Sequence, residues 1–71
     1  MLNQGDIVKY NQPSNEEPIN DKTSHEAYVS EILENNFLNL TVYYFPGEPN
    51  VVKSVPHISN AIQGDSSWEE V

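Results

Sequence analysis

Between residues 36 and 49 the chain reads NFLNLTVYYFPGEP, and polar and apolar positions alternate along it. Leu38, Leu40, Val42 and Tyr44 share one parity; Phe37, Asn39, Thr41, Tyr43 and Phe45 share the other. Successive strand side chains point to opposite sides of a sheet. The first set therefore predicts the core face of a strand over 37–45, and the second an outward face with more aromatic surface than solvent contact explains. PGEPN, residues 46–50, has turn chemistry, and VVKSV, residues 51–55, predicts the returning strand. Upstream, GDIVKY, residues 5–10, predicts a first strand entered from a glycine. HEAYVSEILE, residues 25–34, has two readings: Ala27, Ile32 and Leu33 could seed a helix, whereas Ala27 and Val29 fit a strand face. The step of three from Val29 to Ile32 is one that a β-bulge near Ser30-Glu31 accommodates. Asn35-Asn36 is hairpin-turn chemistry, so a bulged strand is expected. Pro56 cannot donate to a ladder; a short 3₁₀ turn is expected after it, then a last short strand at 61–63.

These elements predict an all-β fold, a small five-stranded antiparallel barrel of SH3-like order, with closure protecting edges that an open sheet would expose. Residues 1–71 are expected to form a single domain, with 11–24 a long loop after the first strand and 64–71 a polar C-terminal tail carrying Trp68. The expected buried aliphatics are Ile7, Ala27, Val29, Ile32, Leu38, Leu40, Val42, Val52, Val55, Ile58 and Ile62. A chain of this size buries only about 60% of the surface its unfolded form exposes. Cysteine is absent, which removes disulfides and thiolate metal sites, so a second subunit or a ligand is the expected additional support. A homo-oligomer follows as the expectation.

Charge narrows the partners. Eleven acids against three lysines and no arginine give a formal net charge of −8. Direct nucleic-acid binding depends on cationic neutralisation of phosphates and is not expected. The acids either keep a small domain dispersed or mimic a polyanion on a cationic protein groove. No basic leader and no long apolar run are present, so the expectation is a cytoplasmic protein without a membrane span.

Catalytic chemistry finds little footing. Ser24-His25-Glu26 contains the residue types of a nucleophilic triad, but neighbours on a strand point to opposite faces and do not converge. Gly5, Gly47 and Gly64 are too far apart for a phosphate loop. His25 and His57 lack sequence-local partners for a metal site, though both fall near strand ends, where they could share a ligand pocket. No enzyme activity, metal or cofactor is expected. The aromatics are the stronger signal: four tyrosines, two phenylalanines and one tryptophan exceed what so small a core needs. Such rings stack on bases or anchor interfaces, or close the ends of a barrel. Lys53, on the strand paired with 37–45, can approach that face.

With the strands placed, the chain resembles a group of small tailed-phage proteins with SH3-like barrels. The matching residues are Gly5, Ile7, Val8 and Tyr10; Ala27 and Val29; Asn39, Leu40 and Val42; Gly47; Val55 and Pro56; and Trp68. Similar proteins often end in a Trp-x-Trp-Pro run, where this chain has Trp68-Glu69-Glu70. The resemblance implies a noncatalytic, anti-defence binding protein in the cytoplasm of an infected bacterial host. Its ligand would be a small nucleotide-like signal, or its target a host protein such as a nucleic-acid enzyme; virion assembly is the third role. On the ligand reading, Tyr43, Phe45 and Trp68 wall the base while Lys53, His25 and His57 meet phosphate or ribose. Phe37, Asn39 and Thr41 are the expected interface residues.

Overall fold

The computed structural model describes residues 2–43 and 48–71. Strands β1 (Ile7–Asn11), β2 (Ser24–Ile32), β3 (Leu38–Tyr43), β4 (Pro49–Val55) and β5 (Ser67–Glu69) form one antiparallel sheet in the order β4-β3-β2-β1-β5. The sheet curls into a half-barrel. A parallel bridge between His57 and Trp68 draws the chain beyond β4 onto β5, with the Trp68 N–H donating to the Pro56 carbonyl at 3.0 Å and the Ile58 N–H to the Trp68 carbonyl at 2.8 Å. The all-β architecture of SH3-like type is the one expected.

Alternation puts one parity of each strand inside. Val8 and Tyr10, Ala27 and Val29, Leu38, Leu40 and Val42, Val55 and Trp68 make the buried cluster, and cross-strand register stacks them: Val8 on Ala27, Tyr10 on Trp68, Val29 on Leu40, Leu38 on Val55. Because Val8 and Tyr10 take the inward parity of β1, Ile7 faces out and is exposed, contrary to expectation. Ile32 follows a bulge at the barrel mouth, and Ile58 and Ile62 lie in the segment outside the strands; all three are exposed. The last strand is 67–69 rather than 61–63. Trp68 meets Tyr10 there, and Asn11 Nδ2 on β1 donates to Ser67 Oγ at 3.1 Å and Glu69 Oε2 at 3.0 Å.

Curvature comes from one position on β3. On the β2 side the register slips between Val29 and Glu31, where the bulge was expected, and on the β4 side between Leu38 and Leu40. Both slips fall at Asn39. Each inserts an extra residue opposite it, which bends a strand and increases its twist. The Asn39 side chain spans the two: Nδ2 donates to Glu31 Oε1 at 2.8 Å, and Oδ1 accepts the Ser54 N–H at 2.9 Å. Ser54, at φ 56, is held in a left-handed conformation that non-glycine residues seldom adopt. The Asn39 carbonyl accepts the Ser30 hydroxyl at 2.8 Å. Asn39, expected at an interface, thus spends its amide inside its own sheet.

The connections follow turn chemistry. Asn35 and Asn36, at φ 59 and 63, turn β2 into β3, closed by the Leu33 N–H on the Phe37 carbonyl at 2.8 Å. The 46–50 turn falls partly outside the described residues. Within the expected long loop, Ile19 and Lys22 exchange two backbone hydrogen bonds of 3.0 Å around Asn20 and Asp21, both at positive φ. That is the two-residue hairpin turn that Asn and Asp favour.

Replacing Asn39 by Ala removes both side-chain bonds across the bulges. We expect a loss of about 1–2 kcal/mol, read as a lower urea midpoint at unchanged m-value, while Asn39→Asp, which keeps the acceptor for Ser54 but turns a carboxylate toward Glu31, should also destabilise the fold.

Candidate functional site

An open cleft of about 660 Å³ lies between the 19–22 hairpin and the neighbouring strands β2 and β3. Tyr28, Tyr43, Lys22, His25 and Glu26 line it. Tyr28 stands opposite Thr41, so Tyr43 is its diagonal neighbour on the outer face, within reach of a long side chain. The two rings meet edge to face, centroids 5.1 Å apart at 88°. Lys22 enters from the hairpin and makes no salt bridge among the described residues.

His25 shares the inward parity of Ala27 and Val29 and is buried. Its Nε2 lies 2.7 Å from Gln12 Oε1. Gln12 is itself buried; its Nε2 donates to the Glu17 carbonyl at 3.0 Å, which leaves Oε1 as an acceptor for His25 Nε2–H and, at 3.4 Å, the Ile19 N–H. The Gln12 N–H in turn reaches the Thr23 carbonyl at 2.8 Å. One buried amide thereby orders the loop that forms a wall of the cleft. Burial holds the His25 pKa below its ordinary 6.5, helped by the Lys22 charge and opposed by a hydrogen bond to the Lys22 backbone.

A second cleft, about 420 Å³, holds His57, Ser59, Trp68 and Glu70 beside Leu2 and Ile32. His57 Nδ1 accepts from the Ser59 N–H at 3.1 Å and lies 2.8 Å from Ser59 Oγ, so Nε2 carries the proton donated to Glu70 Oε1 at 2.8 Å. That bond holds the Glu70 carboxyl below its usual range. The His57 ring packs edge-on to Trp68 at 4.5 Å and 82°. The Ser-His-Glu sequence of contacts resembles a relay in residue types only. The lone pair a general base needs is taken by the backbone of the same turn, which closes with the Asn60 N–H on the His57 carbonyl at 2.9 Å. The set locks the turn after β4 onto the C-terminal strand.

The expected ligand residues therefore separate. His25 and Tyr43 meet in the first cleft and His57 and Trp68 in the second, so among the described residues these two clefts take one histidine each. Lys53 is exposed on β4 and lines neither; Phe45 lies outside the described residues. Trp68 is core, 3% exposed, its Nε1 donating to the Asn36 carbonyl at 2.8 Å, so it walls no base. Thr41 is half-buried between Tyr28 and Val51 across the sheet, and Phe37, also half-buried, lines a groove with Pro56. From the sequence, Tyr28 counts among the rings and Lys22 among the few cations without being assigned to the site, and Gln12 is not singled out. The outward parity of Tyr28 beside Ala27 and Val29 was a usable signal; nothing local marks Gln12. Among the described residues no group of three or more His, Asp and Glu side chains comes together for a metal, and no helix is long and apolar enough to cross a membrane.

Trp68→Ala should cost about 3–5 kcal/mol, so that the protein melts early without any ligand; an unchanged melting temperature would return Trp68 to the surface. A separate expectation concerns acid. The folded His25 pKa lies below the unfolded 6.5, so the unfolded chain takes up the proton first. Stability is full above about 6.5 and falls as pH drops from there through the folded value. Urea midpoints across pH 7 to 5 should show this slope in the parent and not in His25→Gln. Loss of the Glu70 contact belongs to a lower range, below its ordinary 4.5.

Compared with known protein families, curated proteins and solved structures, the chain matches none.

Proposed function

We propose that this chain is a noncatalytic binding protein that sequesters a small nucleotide-like ligand in the cleft of Tyr28, Tyr43, Lys22 and His25. The observation that carries the reading is the edge-to-face tyrosine pair beside a lysine free of salt bridges among the described residues, in a cleft of ligand size. A base stacking on an aromatic ring gains about 1–3 kcal/mol, and the Glu26 carboxylate is an acceptor for an exocyclic amine. With one lysine at the cleft and a net charge of −8, long phosphate chains are repelled. Ligands with a single phosphate diester or monoester fit better. Sequestering a signalling nucleotide is also how the phage-type, defence-countering role implied by the resemblance would be exercised, in the cytoplasm of an infected cell.

A thermal-shift panel of nucleoside monophosphates and cyclic nucleotides tests this. Ligand at a hundredfold excess over its Kd stabilises the native state by about 2.7 kcal/mol, a rise of several degrees in Tm. Tyr43→Ala and Lys22→Ala should each lose the shift while leaving the apo Tm in place. No shift across the panel would sink the reading and leave inhibition of a host protein by the acidic surface as the alternative to pursue.

A further inference from the structure

Among the described residues, strand β4 has a neighbour on one side only, and the bridge that draws the chain onto β5 begins beyond it, at His57. An edge strand offers unpaired backbone groups to another strand. The two edges differ in charge: β5 is three residues including Glu69, whereas β4 is PNVVKSV, with no acid, in a chain of net charge −8. Register also sets a row across the outer face, Ile7 to Tyr28 to Thr41 to Val51. It ends at the open edge with Val51, 63% exposed.

We propose that β4 pairs antiparallel with β4 of a second copy of this chain, about a two-fold axis at Val51. Keeping the two outer faces on one side needs an axis perpendicular to the sheet, and such an axis centres on a single residue. Centring on Asn50 would set Val52 against the partner's Glu48, and centring on Val52 would set Val51 against the partner's Lys53. Centring on Val51 sets valine on valine and joins the two outer rows from Ile7 to Ile7. It also places Lys53 opposite the partner's Pro49, at the strand end where the partner's Glu48 enters and within reach of a long side chain, and symmetry repeats this placement. Both charged residues are exposed, and neither forms a salt bridge among the described residues. Pro49, which lacks an N–H, and the bulge at Ser54 confine the pairing to the middle of the strand. A cationic peptide is a poorer occupant, because Lys53 stands on the edge it would approach. The pairing brings the partner's Lys53 into the row of Pro49 and Tyr43, two strand spacings or about 10 Å from the tyrosine; the dimer itself does not rest on the ligand reading.

Sedimentation equilibrium of the full chain, from micromolar to millimolar, should show a reversible dimer that added salt tightens, because two chains of the same net charge repel. Val51→Lys, at a position open enough to leave the fold intact by circular dichroism, should raise the dimer Kd about tenfold or more. Lys53→Glu and Glu48→Lys should each weaken the dimer, and the double exchange should recover the parent Kd. A chain that stays monomeric throughout overturns the proposal, as does a dimer indifferent to Val51→Lys or a double exchange that recovers nothing.

Discussion

A single sheet with no other described element packed against it has to be its own second layer. Stable domains bury the apolar face of a sheet against another element; here five strands and one 3₁₀ turn, Glu34–Asn36 and not the one expected after Pro56, are the described regular elements. The sheet meets the requirement by curling, and curling depends on the paired bulges at Asn39. Two register slips on opposite sides of the same β3 residue concentrate the bend at one line across the sheet. The Asn39 amide bonds both bulged neighbours, so the local disorder a bulge brings is absorbed without orphaned polar groups. Every buried side-chain nitrogen and oxygen among the described residues finds a partner.

The same economy governs the loop between β1 and β2. A stretch rich in Asn, Pro, Ser and acids cannot build a core of its own, yet it is ordered around the buried amide of Gln12 and closed by a two-residue hairpin. Polar groups taken out of water must be hydrogen-bonded, and here that demand gives the loop a single arrangement. His25 belongs equally to this network and to the inward face of β2. The cleft wall and the barrel core are therefore coupled through one imidazole, and the lowered pKa that burial imposes on it makes the coupling sensitive to acid.

At the other end, Trp68 closes the barrel. Its indole donates to the Asn36 carbonyl in the β2–β3 turn, its backbone bridges the chain after β4, and its face carries the His57 ring. A lone tryptophan among polar residues is open in a linear scan to two readings, a ligand wall or a barrel end. It is the plug of the core, because the short β5 has one inward position and Trp68 occupies it. The histidine beside it is consumed by its own turn and by Glu70, which is why a contact order resembling a catalytic relay performs a structural task.

Local pattern alone determined the strand alternation of Leu38, Leu40 and Val42, the bulge after Val29, the asparagine turn at 35–36 and the all-β class, because each is set by residues within a few positions of one another. The outward aromatic face of β3 was also legible, and Tyr43 does line a cleft. Tertiary structure decided which parity of β1 faces inward, where the last strand lies, and which distant side chains meet. Ile7 and Val8 are equally apolar; only the pairing of Val8 with Ala27, and of Tyr10 on the same parity with Trp68, selects Val8. The ligand residues expected from sequence were divided between two clefts for the same reason. Residue type reports what chemistry a side chain can do, while the curl of the sheet determines which side chains it can do it with.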